Sequence, residues 1–289
     1  MDTEALKAFV SIAKSGSFSN AAQQLHLSQP AISKRIARLE EQLNHRLLDR
    51  LGRDLQLTEA GQLLLPRAEA ILLELRETER RVRELSGEII GNLSVATSHH
   101  VGLHHLPPIL RAFASKHSHV NLQFEFLDSE QAHAKVLAGD CEFAIITLAP
   151  KIEAPLSCVE LWQDPLEVVV SKQHQLAKKN KVELADLAKE SAILPDLNTY
   201  TGRLIKDAFE QHQLSIKTNM ATNYLETIKM MVSVGLGWSI LPATMVDEQL
   251  TKLNIKELKI SRTLGLIQHK KRSLSNAGRA FYDCVMRMR

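Results

Sequence analysis

Three cysteines in 289 residues, Cys141, Cys158 and Cys284, are too few and too scattered to staple the chain. Their odd number and wide spacing exclude a disulfide framework and any CxxC metal knuckle, and point to a reducing compartment. Long apolar runs are also missing. The stretch from Ile89 to Leu110 lacks Asp, Glu, Lys and Arg, but four histidines and Pro107-Pro108 interrupt it. Met230 to Val246 is likewise uncharged, yet Gly235, Gly237 and Pro242 break it into a helix end, a turn and a buried strand. Neither stretch predicts a membrane span. The acidic start Met1-Asp2-Thr3-Glu4 predicts no secretory signal. Catalytic signatures are absent too, with no GxSxG, P-loop or HExxH. Gly235 and Gly237 make only part of a dinucleotide fingerprint, ahead of a strand rather than after one, and read as a tight turn. Nor does net charge declare a partner, since it is only +3.

What is present is ordinary globular material, 44 % apolar and 24 % charged, enough for about two domains. Leu6, Phe9, Val10 and Ala13 mark a first helix, which Gly16 ends. A short second helix carries Phe18, Ala21, Ala22 and Leu25 on one face. Ser28 can cap a third, with Pro30 tolerated in its first turn. That third helix puts Ile32, Ile36, Leu39 and Leu43 on one stripe and Pro30, Ser33, Lys34, Ala37, Arg38 and Glu41 on the other. Asn44 stands where a left-handed cap is expected. Leu47 to Leu57 then reads as a hairpin with Arg50 and Arg53 near its tip. Between Ser28 and Arg53 six basic residues face three acidic ones. This local excess on a helix-turn-helix pattern is the footprint of a nucleic-acid surface.

From Thr58 to about Gly87 a single long helix is expected. Leu64, Ala68, Ile71, Leu75, Thr78, Val82 and Leu85 repeat at heptad spacing, a seam for a second copy of the chain. Pro66 argues for a kink. Beyond Gly91, short strands alternate with helices, which predicts an α/β domain.

The run Ser17-Phe18-Ser19-Asn20-Ala21-Ala22, then Leu25, Ser28-Gln29-Pro30-Ala31-Ile32-Ser33, Ile36, Leu39-Glu40, Leu47, Arg50 and Leu57-Thr58-Glu59-Ala60-Gly61 resembles the N-terminal signature of LysR-type transcriptional regulators. Asn44 replaces the family's usual Gly and Leu48 its usual Phe. The resemblance implies an α/β protein overall. It would have a winged helix-turn-helix over 1–58, a dimerising linker helix over 59–90 and a two-lobed effector domain over 91–289 like a periplasmic binding protein. One lobe would comprise 91–161 and 266–289, the other 162–265. The resemblance also implies a tetramer, cytoplasmic location and double-stranded DNA, a small-molecule effector and RNA polymerase as partners. The rival reading is a small-molecule enzyme or solute-binding protein with a fused N-terminal domain.

On DNA, Gln29 and Ser33 are placed to reach base edges, with Pro30 beside them, and Lys34 and Arg38 suit phosphate or guanine. Arg50 and Arg53 on the wing suit the minor groove or phosphates, although Arg50 equally suits a salt bridge with Asp49 or Glu40. In the α/β part, Thr97-Ser98 and Thr222-Asn223 each fall between a strand and a helix, the usual ligand position of an open sheet. Thr147, Asn198 and Thr199 would line the same cleft. Helix N-termini there favour an anion, with His99 or His100 supplying positive charge when protonated. Six of the twelve histidines lie between His99 and His119. His100 and His104 have metal-binding helical spacing, but no neighbouring carboxylate or cysteine completes a set. No metal or cofactor is therefore expected. Cys141 and Cys158 read as inert core thiols, and no cysteine stands near 198–199 to sense peroxide.

Overall fold

The computed structural model describes residues 1–51, 54–152 and 154–289, leaving aside the side chains of residues 50, 51, 54, 83 and 86. The chain forms two compact units, Met1–Ser86 and Gly87–Arg289.

In the first unit, α1 (Thr3–Ser15), α2 (Phe18–Gln24) and α3 (Gln29–Leu43) precede a hairpin of β1 (Leu48–Leu51) and β2 (Asp54–Leu57), and α4 (Glu59–Arg83) follows. Each helix starts on a short polar side chain that takes up an otherwise orphaned N–H. Asp2 accepts from the N–H of Ala5, Ser17 from Asn20, Ser28 from Ala31 and Thr58 from Gly61. Asn44 ends α3 at φ 52°, the left-handed geometry that asparagine tolerates better than most residues. Phe9, Ile12, Ile32 and Leu39 are completely buried where α1, α2 and α3 meet. The wing is fastened to α3 by Glu40, whose Oε1 accepts from the N–H groups of Leu47 (2.7 Å) and Leu48 (3.3 Å). Helix α4 runs on through Pro66 without a break, where the sequence suggests a kink. Leu64, Leu65 and Ala68 on either side of the proline pack into the core, and that packing holds the helix through the lost hydrogen bond.

The second unit contains β3 (Gly91–Thr97), α5 (His99–His104), α6 (Leu106–Lys116), β4 (Val120–Phe126), α7 (Ser129–Ala138), β5 (Phe143–Thr147) and the long β6 (Leu156–Ser171). It continues with α8 (Leu184–Lys189), β7 (Ala192–Leu194), α9 (Tyr200–Glu210), β8 (Thr218–Ala221), α10 (Leu225–Ser233), β9 (Ser239–Pro242), β10 (Leu250–Leu253), β11 (Ile260–His269) and α11 (Asn276–Met288). The main sheet has the order β10-β6-β11-β5-β3-β4, and β9 also pairs with β6. Strands β4, β3 and β5 are parallel, whereas β11 runs antiparallel to both β5 and β6.

Two lobes follow from this topology. One core gathers Leu93, Val95, Ile109, Phe113, Phe143 and Phe281, and the other Val168, Leu187, Ile205, Phe209, Trp238 and Ile240. Strands β6 and β11, paired from Leu156 to Leu166, pass from one lobe to the other. From the sequence alone, only Leu166 to Ser171 of β6 reads as a strand. The earlier part includes Asp164 and Pro165, which discourage a strand assignment, yet Pro165 pairs in register with Ser261. Cys158 lies on this stretch and is exposed, which corrects its reading as a core thiol. Cys141 is buried, and burial pushes its thiol up to about 12. Among the described residues no helix is long and apolar enough to cross a membrane.

Candidate functional site

Helix α3 presents Gln29, Pro30, Lys34 and Arg38 to solvent, with Ser33 half-buried between them. This is the face opposite Ile32, Ile36 and Leu39, as the helical spacing predicts. Arg35 is turned away to Glu4, 3.0 Å distant. Glu40 is occupied by the wing's backbone. Arg50 pairs by its backbone with Leu55, its side chain lies outside the described residues, and so does Arg53 altogether.

In the second unit a cavity of about 50 Å³ opens between the lobes. Ser98, His99, His100, Thr147 and Thr199 line it, together with Asp128, Glu130, Tyr200, Asn223 and Arg262. Ser98 precedes α5 without capping it, so its hydroxyl is not spent on the helix. Thr97, Asn198 and Thr222 do not line the cavity. Thr97 is fully buried and donates to the carbonyl of Ile145 at 2.8 Å. The N–H of Asn198 is taken by Asp196. Thr222 accepts from the N–H of Tyr224, which takes the cap position of α10 expected for Thr222-Asn223.

At the floor lies a buried charged pair. Arg262 on β11 and Asp164 on β6 are register partners, and Nε donates to Oδ2 at 2.8 Å. Nη1 of the same guanidinium donates to Thr201 Oγ1 at 2.9 Å, while Nη2 is buried with no partner among the described residues. Burial by itself would raise the Asp164 carboxyl, but the His100 ring and the Arg262 charge outweigh it and hold it below the usual range. His100 sits 3.4 Å from the same carboxylate oxygen. Burial pushes its ring below the usual histidine value, so it is neutral at pH 7. The positive charge expected from a protonated His100 is supplied instead by Arg262.

Direct contacts close the cleft over this floor. Glu130 of α7 accepts from the N–H of Tyr200, the first residue of α9, at 2.5 Å. Asn223 donates to Asp128 at 2.8 Å. The hydroxyl of Tyr200 stands 3.0 Å from Nδ1 of His133. Sequence reasoning missed Arg262, Asp164, Glu130 and Tyr200. The only local signal for Arg262 is a lone cation within the apolar run Leu264 to Ile267 and its flank.

Residues 86–289 match the family model described as the LysR substrate binding domain, and residues 3–62 match that of the bacterial regulatory helix-turn-helix protein, lysR family. The chain belongs to the LysR family of transcriptional regulators. A LysR relative from Trieres chinensis, named "Probable RuBisCO transcriptional regulator", is 32 % identical over 96 % of this chain and 94 % of its own length. Full-length CbnR, solved in complex with its target DNA, is similar in fold at TM-score 0.62 and 23 % identity, covering 100 % of both chains. The effector-binding domain of QuiR, solved with shikimate, has TM-score 0.62 and 24 % identity over 68 % of this chain and 96 % of that one. This LysR protein is a regulator built from a helix-turn-helix and a substrate-binding domain, not an enzyme.

Proposed function

We propose that the chain is a sequence-specific DNA-binding regulator that responds to a small anion held between the lobes of its second unit. The observation that carries this reading is Arg262, a residue lining a cavity between both lobes, whose buried Nη2 has no partner among the described residues. Leaving such a donor unmatched is costly, and a carboxylate or phosphate oxygen restores the missing bond with charge assistance. Ser98, Thr147 and Thr199 add short polar groups around it. Shikimate, the ligand of the QuiR domain, is itself a hydroxylated carboxylate, a chemistry that Arg262 with Ser98, Thr147 and Thr199 would suit.

DNA recognition is assigned to Gln29, Pro30, Ser33, Lys34 and Arg38, with Arg50 and Arg53 of the wing touching the backbone or minor groove. Two chains pair along α4, where Ile71, Leu75 and Val82 are exposed, and Leu85 is exposed in the turn after it. Two such pairs form a cytoplasmic tetramer that contacts RNA polymerase. The ligand biases the lobes toward one arrangement and so alters how the assembly holds DNA.

The test is calorimetry of the full chain against small carboxylates and phosphates, with a reporter assay for the response. Ser98→Ala and Arg262→Lys should each lose the response while keeping operator binding. If both respond like the wild type, the anion site is elsewhere.

A further inference from the structure

Helix α5 carries His100 and His104 one turn apart, and His105 follows. The rings of His100 and His104 lie 4.8 Å apart between centroids, and those of His100 and His105 5.6 Å. His100 is 4 % exposed; its Nε2 only approaches Asp164 Oδ2, at 3.4 Å, and among the described residues neither ring nitrogen has a well-aligned hydrogen-bond partner. A buried imidazole normally satisfies at least one nitrogen, so this ring keeps donor capacity unused. The fold also supplies the carboxylate that the local sequence lacks. Glu226, on α10 of the other lobe, places Oε1 3.1 Å from Nε2 of His104. Donor atoms of His100, His104 and Glu226 all lie within 4.8 Å of one another.

We propose that His100, His104 and Glu226 form a binding site for a divalent transition-metal ion of the zinc class, joining the two lobes beside the effector cavity. Two imidazoles and a carboxylate are the donors such an ion prefers, whereas calcium and magnesium take oxygen almost exclusively. Donors sharing a tetrahedral ion at 2.0–2.2 Å stand about 3.3–3.5 Å apart. The His104–Glu226 pair is already near that separation. His104 and Glu226 are only partly buried, which leaves an entry path from solvent and room for water at a fourth position. A second donor set, His100, His105 and Asp164, is also close enough in space. It is the poorer one, because Asp164 is committed to Arg262 and an ion there would sit against the guanidinium.

Since one ligand comes from the second lobe, the ion and the closed cleft favour each other. Metal-free full-length protein titrated with zinc chloride should bind one ion per chain in a saturable calorimetric isotherm. Cobalt(II) should give the intense visible bands of a tetrahedral site, and zinc should erase them. His104→Gln and Glu226→Gln should each weaken zinc binding by about tenfold or more. Both changes lie at partly exposed positions, and circular dichroism checks that the fold is kept. His105→Gln should bind at the wild-type affinity. The site is overturned by an absence of saturable binding, by weak octahedral cobalt spectra alone, by wild-type affinity in both the His104→Gln and Glu226→Gln proteins, or by loss of binding in His105→Gln.

Discussion

Arg262 and Asp164 face each other across β11 and β6, 98 positions apart in sequence and 2.8 Å apart in space. Both are almost wholly buried, on the two strands that run between the lobes. Removing one partner strands the other charge in a medium that cannot solvate it, at a cost of about 3–5 kcal/mol. Arg262→Met should therefore lower the stability of the second unit by that order. The double variant Asp164→Leu/Arg262→Met should recover most of it, because neither charge is then left unmatched. Effector response should stay lost in the double variant, which separates the structural role of the pair from the anion-binding role. Chemical denaturation of all three proteins measures this, and a double variant less stable than either single one contradicts the account.

Gly61 is the last residue of the Thr58-Glu59-Ala60-Gly61 run, and its position in α4 has a plain steric reason. A Cβ added there would lie 2.2 Å from the carbonyl oxygen of Leu47, at the start of the wing. In an unconstrained helix Gly→Ala is stabilising by about 1 kcal/mol. Here the sign should reverse, because the displaced atom is backbone and cannot rotate away. Gly61→Ala should lower both the melting temperature of the first unit and affinity for DNA. A melting temperature equal to or above the wild-type value means the wing yields freely.

The first unit was legible in the sequence because its signals are local. Ser28 caps α3, Asn44 closes it in the left-handed region, and the stripe Ile32, Ile36, Leu39 fixes which face is buried. The second unit was legible in its alternation of strands and helices but not along β6, where Pro165 and Asp164 disguise a strand whose partners come from β11. Helix α5 is announced only by the place of Thr97-Ser98 after a strand, for its histidines give no apolar period. Three lining residues of the cavity, Ser98, Thr147 and Thr199, were legible because they stand beside strand and helix ends. Its charges were not, since Arg262 and Glu130 reach it only through long-range packing. Thr97 looked like a ligand group by position alone, and backbone bonding uses its hydroxyl instead.

The exposed apolar residues of α4 give a test of assembly. Ile71 is 43 % exposed, Leu75 37 % and Val82 63 %, at heptad spacing. A second copy of the helix would cover them. Leu75→Glu buries an unpaired carboxylate in that seam, which costs several kcal/mol, and should yield monomers with weakened DNA binding. Light scattering that shows an unchanged oligomer rules this seam out as the interface.

Affinity and selectivity for DNA should separate along α3. Lys34 is a solvent-exposed cation suited to phosphate, so Lys34→Ala should weaken binding to operator and random duplex alike and lower the salt dependence by roughly one counterion. Gln29 can pair bidentately with adenine, so Gln29→Ala should cost about 1–3 kcal/mol of discrimination at one position of the site. Fluorescence anisotropy on specific and scrambled duplexes at several salt concentrations distinguishes the two effects. An identical loss for both variants on both duplexes would remove the assigned division of labour.

The cleft should also loosen in acid, through His133. Its Nδ1 stands 3.0 Å from the hydroxyl of Tyr200, across the cleft, and only a neutral imidazole can accept the hydroxyl proton there. Burial holds His133 below its ordinary value of 6.5, with Glu130 pulling weakly the other way. The unfolded chain therefore binds the proton more readily than the folded one. The stabilising contribution is complete above about pH 6.5 and is lost as pH falls toward the lower folded value. His100, His105 and His117 are shifted in the same direction by burial, and acidification weakens the fold through them as well. Comparison with His133→Gln removes that shared background. Between pH 7 and pH 5 the melting temperature of the wild type should fall further than that of the variant. Hydrogen exchange at the N–H of Tyr200, which is bonded to Glu130 across the same cleft, should quicken only in the wild type over that range. Parallel melting curves and equal exchange in the two proteins would show that the Tyr200–His133 contact does not sense pH.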